Sequence, residues 1–283
     1  VTHSLNTENG RQVLRLERKL AHPPEKVWRA ITEPAQLSQW YPLTCTGVDL
    51  RVGGGISFDD GEGTTYSGTV TELVPNRVFA FSEESDLLRI ELHPDGDGTL
   101  LVFTHTFDDR FMGPATAMGW HGCLAALADV VAEHPVEHPG GSQELHERLV
   151  RDFGLDRGTS ESTSDGWRVR FDRPLFRQPV DAVWRTLTES GEPGAGGAVP
   201  TAFDAKHVPA GQVISAEPPR RLEYDWTADG ISVGRVRWEL ADGAGGARIV
   251  LTQTGPAELS DQREAALDAW QQHLEALVVR LHG

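Results

Sequence analysis

Cysteine is nearly missing: the 283-residue chain carries two, Cys45 and Cys123, in no metal-ligand or redox spacing. A disulfide scaffold is therefore not expected, and both are read as buried free thiols. Basic charge is also in short supply, with 26 Lys and Arg against 42 Asp and Glu and a formal net charge of -16. Nucleic acid and anionic membrane surfaces favour basic patches, so neither is expected as a partner. No run approaches the roughly 18 consecutive apolar residues that a bilayer span requires, and no membrane insertion is expected. The opening VTHSLNTENGRQ lacks the apolar core of a secretory signal, which points to the cytoplasm. Signatures of catalysis are missing as well. There is no G-x-S-x-G nucleophile elbow. Gly53 to Gly55 lacks the Lys and Ser/Thr of a phosphate loop and reads as a strand turn.

What the chain has is an internal repeat. PEKVWRAITE (Pro24 to Glu33) returns as VDAVWRTLTE (Val180 to Glu189). Each copy follows an alternating run, Leu14, Leu16, Arg18, Leu20 in one and Val169, Phe171, Arg173, Leu175 in the other. Alternation means a strand with one buried face, and the prolines at 24 and 179 mark the start of a short helix. GTVTELVPNRVFAFSE (from Gly68) pairs with GQVISAEPPRRLEYDW (from Gly211), each a strand, a proline turn and a second strand. GTLLVFTHT (from Gly98) pairs with GARIVLTQT (from Gly246). Ala117, Trp120, Leu124, Leu127 and Val131 step by threes and fours, as do Leu267, Trp270, Leu274, Leu277 and Leu281, which predicts an amphipathic helix closing each copy.

The expected fold is α+β: two tandem helix-grip domains, each a curved antiparallel sheet wrapped around a long C-terminal helix. The first spans residues 1–140 and the second, degenerate copy 166–283. Residues 141–165 are read as an extra helix (Ser142 to Leu155) followed by the polar linker DRGTSESTSDG.

Four segments, LERKLAHPPEKVWRAITEPAQLSQWYP (Leu16 to Pro42), GTVTELVPNRVFAFSE, GTLLVFTHTF and GWHGCLAAL (Gly119 to Leu127), resemble the activator of heat-shock-protein-90 ATPase homologue family. That family belongs to the wider START-like or SRPBCC superfamily, with birch-pollen-allergen and polyketide-cyclase relatives. The resemblance covers nearly all of the first copy, and the beginning and last part of the second. It implies the helix-grip fold and three kinds of function: carrying a ligand, assisting a chaperone, or cyclase- or hydrolase-type catalysis. The fold alone does not choose among them.

A sheet bent around one helix tends to enclose an apolar cavity, so the leading expectation is binding of a small hydrophobic molecule in the first copy, without catalysis, cofactor or metal. In Leu100 to Thr106 both alternating sets look apolar. The second copy decides, because Arg248 aligns with Leu100 and an arginine belongs outside. Leu101, Phe103 and His105 are then inward. The candidate ligand-binding residues are Arg18, Trp40, Tyr41, Phe58, Tyr66, Phe81, Phe103, His105 and Trp120. Arg18 suits a ligand carboxylate, His105 is a polar handle, and the Trp40-Tyr41-Pro42 segment is placed at the pocket mouth. For each, packing or solvation is the competing reading.

The second copy has GEPGAGGAVP (Gly191 to Pro200) where the first has the mouth, Trp226 where it has Glu83, and Trp238 where it has Ile90. A filled second cavity follows. On the back of the first long helix, Gly122, Ala125, Ala126 and Ala132 are small, which permits cover by the second domain or by the partner in a homodimer. His134-Pro135-Val136-Glu137-His138 fits the zinc pattern H-x-x-E-H, but Pro135 and Pro139 oppose the helix that the pattern needs. The acid pairs Glu83-Glu84 and Asp108-Asp109 read as solvated strand ends.

Overall fold

A computed structural model describes residues 2–243 and 245–283, and the chain forms two compact units, Val1–Leu149 and Val150–Gly283. In the first, the strands β1 (Thr2–Glu8), β2 (Arg11–Leu20), β3 (Thr44–Val48), β4 (Gly55–Asp59), β5 (Thr65–Val74), β6 (Val78–Glu83), β7 (Asp86–Asp95) and β8 (Gly98–Phe107) build one antiparallel sheet. Its order is β1-β2-β8-β7-β6-β5-β4-β3. The helices α1 (Pro24–Thr32) and α2 (Pro34–Leu37) follow β2, and α3 (Gly113–Ala132) follows β8.

Alternation decides the inner face. Leu14 and Leu16 of β2 are buried and stand opposite His105 and Phe103 of β8, while Arg18 stands opposite Leu101. The inward set of β8 is thus the one that the comparison of copies selects. α1 opens on Pro24, whose missing N–H costs nothing at a first helical position, and it buries Val27, Ala30 and Ile31. The whole stripe Ala117, Trp120, Leu124, Leu127 and Val131 of α3 is buried. By length and composition alone Arg110–Ala132 is apolar enough to cross a membrane, although its apolar residues are not consecutive. Trp120 packs instead on Phe103 of the sheet, with ring centroids 4.3 Å apart.

The back of α3 is partly covered by its own unit. A Cβ on Gly122 would come within 3.1 Å of the Pro139 carbonyl, and one on Gly141 would run into Met118, so the segment after α3 folds back along the small-residue face. Ala126 is fully buried. Gly122 thus admits an intrachain approach, while Ala125 and Ala132 stay partly exposed. Residues 134–138 are not helical, as Pro135 and Pro139 require. Cys45 is buried and Cys123 half-buried, and both are free; burial pushes the Cys123 thiol up to about 11.

The chain continues through α4 (Gln143–Asp152). In the second unit, β9 (Thr159–Thr163), β10 (Gly166–Pro174), β11 (Ala210–Glu217), β12 (Arg221–Ala228), β13 (Ile231–Gly243) and β14 (Gly246–Gly255) form a sheet in the order β11-β12-β13-β14-β10-β9. α5 (Val180–Leu187) matches α1, and α6 (Gln262–His282) matches α3. Trp270, Leu274 and Leu277 of the expected stripe are buried, with Leu267 and Leu281 partly so. Counterparts of β3 and β4 are missing from this sheet.

One expectation needs correction. The stretch read as a linker contains β9, which pairs with β10 as β1 pairs with β2. Every residue of β9 is exposed, so it carries no apolar signal. In the first unit Asn9-Gly10 is the two-residue hairpin turn between Glu8 and Arg11, whereas the second hairpin turns on Ser164-Asp165, between Thr163 and Gly166.

Candidate functional site

The hairpin from β6 to β7 brings Glu83, Glu84, Ser85 and Asp86 to one end of the first sheet. With Tyr66 of β5, Leu88 of β7, His105 of β8 and Trp120 of α3 they line a half-open cleft of about 250 Å³. Three of the candidates named from sequence, Tyr66, His105 and Trp120, meet here.

A chain of hydrogen bonds runs along the floor. The Trp120 indole Nε1–H donates to His105 Nδ1 at 3.0 Å. An indole nitrogen can only donate, so Nδ1 must accept and the imidazole proton sits on Nε2. That Nε2–H donates to Asp86 Oδ2 at 2.8 Å. Arg11 lies 3.7 Å from the other Asp86 oxygen, and also bonds the Ser85 carbonyl at 2.8 Å and Asp108 at 2.7 Å. Beside this chain the Tyr41 hydroxyl donates to the Glu83 carboxylate. Burial raises the Glu83 carboxyl above its usual range, and the charges of Asp86 and Glu84 add to that, while the bond from Tyr41 opposes it. Burial first, then Glu83, pushes the Tyr41 phenol far up, so it stays a donor.

In this arrangement His105 has no free lone pair with which to take a proton. Burial lowers its pKa, opposed by the bond to Asp86. An imidazolium would also lose the bond from Trp120, because both of its nitrogens would then donate. The unfolded chain protonates the same residue near about pH 6.5. Below that pH the unfolded state binds more protons at this site, and stability falls as pH drops through the lowered folded value. His105→Gln should flatten that loss below about pH 6.5, since a glutamine can accept from Trp120 and donate to Asp86. Thermal midpoints of wild type and variant across this range check it, and parallel pH curves would exclude His105 as the source.

The other candidates fall elsewhere. Trp40, Phe58, Phe81 and Phe103 are at most 1 % exposed, too little for a water-sized space beside them. They pack among themselves and their neighbours: Tyr41 stacks on Phe58 at 4.7 Å, and the Trp40 indole N–H donates to the Ala30 carbonyl at 2.9 Å. Tyr41 lies below the cleft, joined to it through Glu83. Arg18 is half-buried; burial lowers its pKa and Asp129 of α3 opposes the shift. It sits four residues along β2 from Leu14, the partner of His105, hence roughly 13 Å from the cleft. Sequence reasoning missed Glu83, Asp86, Leu88 and Arg11. The Glu83-Glu84 pair looked like a solvated strand end and Asp86 gave no signal, because nothing local shows that Glu83 and Asp86 converge on an inward histidine.

The second unit has the same frame with different contents. Phe79 stands opposite Ile90, and Leu222 opposite Trp238. Following these registers, Trp226 and Gly234 occupy the places of Glu83 and Asp86, and Gln253 that of His105. The clasp between helix and strand recurs, with Trp270 Nε1 donating to Gln253 Oε1 at 2.6 Å. Trp226 is fully buried and donates to the Thr254 carbonyl at 2.7 Å. Only a glycine at 234 leaves it room, because a Cβ there would overlap the Trp226 indole nitrogen and the Thr254 carbonyl. Where the first unit is open, the second is plugged by an indole.

Comparison with known proteins agrees with this duplication. The family model described as "Activator of Hsp90 ATPase homolog 1-like protein" matches residues 21–132 and again 182–282. Among solved structures, a conserved protein of unknown function from Enterococcus faecalis is similar at 21 % identity, covering 53 % of this chain and 88 % of its own, with a TM-score of 0.46. CalU16 from Micromonospora echinospora is 22 % identical over 53 % of this chain and 95 % of its own, at a TM-score of 0.42. A protein solved as the Aha1 dimer from Colwellia psychrerythraea is 24 % identical over 42 % of this chain and 95 % of its own, at 0.37. No curated protein matches the chain.

Proposed function

The chain belongs to the activator of Hsp90 ATPase homolog 1-like family, in two tandem copies, and we propose that the first copy binds a small, largely apolar molecule in the cleft over Trp120 and His105. The observation that carries this reading is the contrast within the chain: the place open in the first unit is filled by Trp226 in the second. A cleft of about 250 Å³ lies just below the usual range of about 300–1,000 Å³ for ligand pockets, so the ligand is small. Trp120, Tyr66 and Leu88 offer it apolar walls. Glu83 and Asp86 accept hydrogen bonds, which favours a ligand carrying an N–H, an O–H or a cationic group.

The test is thermal unfolding of the full chain with small apolar amines and their neutral isosteres. A binder raises Tm with concentration, and a hundredfold excess over Kd stabilises by about 2.7 kcal/mol. The amines should exceed the isosteres, and no shift with either set would end the proposal.

A second reading, an interaction module acting on a chaperone ATPase, is supported by the family's description. It predicts measurable binding to such a chaperone and faster ATP hydrolysis by it. A cyclase- or hydrolase-type reaction using His105 and Arg18 finds less support, because the two lie roughly 13 Å apart along the sheet and His105 has both nitrogens engaged.

A further inference from the structure

Antiparallel strands in register set outward side chains in rows across a sheet. On the outer face of the second sheet, Thr252 of β14 stands between Arg170 of β10 and Arg237 of β13. Two residues further along, Thr254 stands between Arg168 and Arg235. Two Arg-Thr-Arg rows, roughly 7 Å apart, thus line a concavity of about 300 Å³.

The first sheet supplies the control. It has one such row, with Thr104 between Arg15 and Arg89. There each arginine is balanced: Arg15 pairs with Glu17, and Arg89 with Glu72 and Glu91. The next row is Val13, Thr106 and Leu87, with no charge at all. The equivalent first row of the second sheet is balanced in the same way, Arg170 by Asp172 and Arg237 by Glu223. Arg168 and Arg235 are therefore extra charges, standing where the other copy has Val13 and Leu87.

Of these two, Arg235 is the one without a countercharge among the described residues. Arg168 is ion-paired with Glu161 on the edge strand, its Nε 2.7 Å and its Nη2 2.5 Å from Oε1. Arg235 forms no ion pair among the described residues, and its cross-strand neighbour Asp225 accepts from the Gln212 backbone N–H instead. Glu223 and Glu239 line the same hollow. Three of the four guanidinium groups around the hollow are ion-paired and Arg235 is not, so an oxyanion there would meet the Arg235 fork, the N–H donors that the paired arginines leave unused, and the threonine hydroxyls. With a net charge of -16 the chain as a whole repels anions, so local geometry must supply the attraction.

We propose that this face of the second unit is a binding site for a small molecule bearing a phosphate or a pair of carboxylates, held by Arg168 and Arg235 together with Arg170, Arg237, Thr252 and Thr254. The experiment titrates inorganic phosphate, and separately succinate, into the full chain at ionic strength held constant with chloride. Amide shifts are followed by NMR. Residues on β10, β13 and β14 around Thr252 and Thr254 should move, and the Arg168→Val/Arg235→Leu double variant, which carries the first copy's residues, should bind at least tenfold more weakly. The stronger of the two probes identifies the anion class. If that variant fails to fold, Arg168→Gln/Arg235→Gln makes the same comparison. Equal binding by wild type and variant, or the absence of shifts at these strands with both probes, would overturn the proposal.

Discussion

Replacing Trp238 by alanine should cost the second unit about 3–5 kcal/mol, the range for deleting a fully buried tryptophan. Trp238 has no exposed surface and stands between Phe203 at 5.3 Å and Trp270 at 5.7 Å, both edge-to-face. In the first unit the same register position holds Ile90, and α1, α2 and two additional strands surround a core of phenylalanines. The second unit lacks those strands, and Trp238 supplies part of the missing volume. Whole domains are stable by only about 5–15 kcal/mol, so the loss is a large fraction of the total. Hydrogen exchange is the measurement that localises it. Protection should collapse in β12, β13 and β14 and persist in β6, β7 and β8. Unchanged protection in the second sheet would mean that the indole is not a structural element of that core.

Much of the fold was legible because its signals are periodic and occur twice. The β2 and β10 alternations, the VWR helices and the stripes of α3 and α6 could each be read alone. Comparing Leu100 with Arg248 then settled a strand face that neither copy settles by itself. β9 was not legible, since an edge strand exposed along its whole length has no reason to alternate in polarity. The site was legible only in part. Tyr66, His105 and Trp120 were reachable from strand and helix phase. Asp86 and Arg11 were not, because they join through the pairing of β8 with both β2 and β7, a long-range fact of topology. The aromatics Trp40, Phe58, Phe81 and Phe103 share the inward phase and lie in the packed core. An inward phase places a side chain in the core without telling whether space remains beside it. The substitution of Glu83 by Trp226 was visible from the sequence and pointed at the cleft, although its acidic partners did not.

That same substitution allows the central claim, an open binding place in the first copy and a plugged one in the second, to be tested by transplanting the plug. Glu83→Trp alone would meet the Asp86 side chain, as Trp226 would meet any Cβ at Gly234. The variant is therefore Glu83→Trp together with Asp86→Gly. It releases Tyr41 and His105 from their carboxylates and fills the cleft with an indole. Circular dichroism establishes that the sheet and α3 are retained, and the decisive reading is the ligand-induced rise in Tm of the full chain. We expect the rise seen with wild type to vanish, which at a hundredfold excess over Kd is a loss of about 2.7 kcal/mol of stabilisation. A folded variant that still gains the full wild-type shift would contradict the account, because the ligand would then bind somewhere other than the cleft over Trp120 and His105.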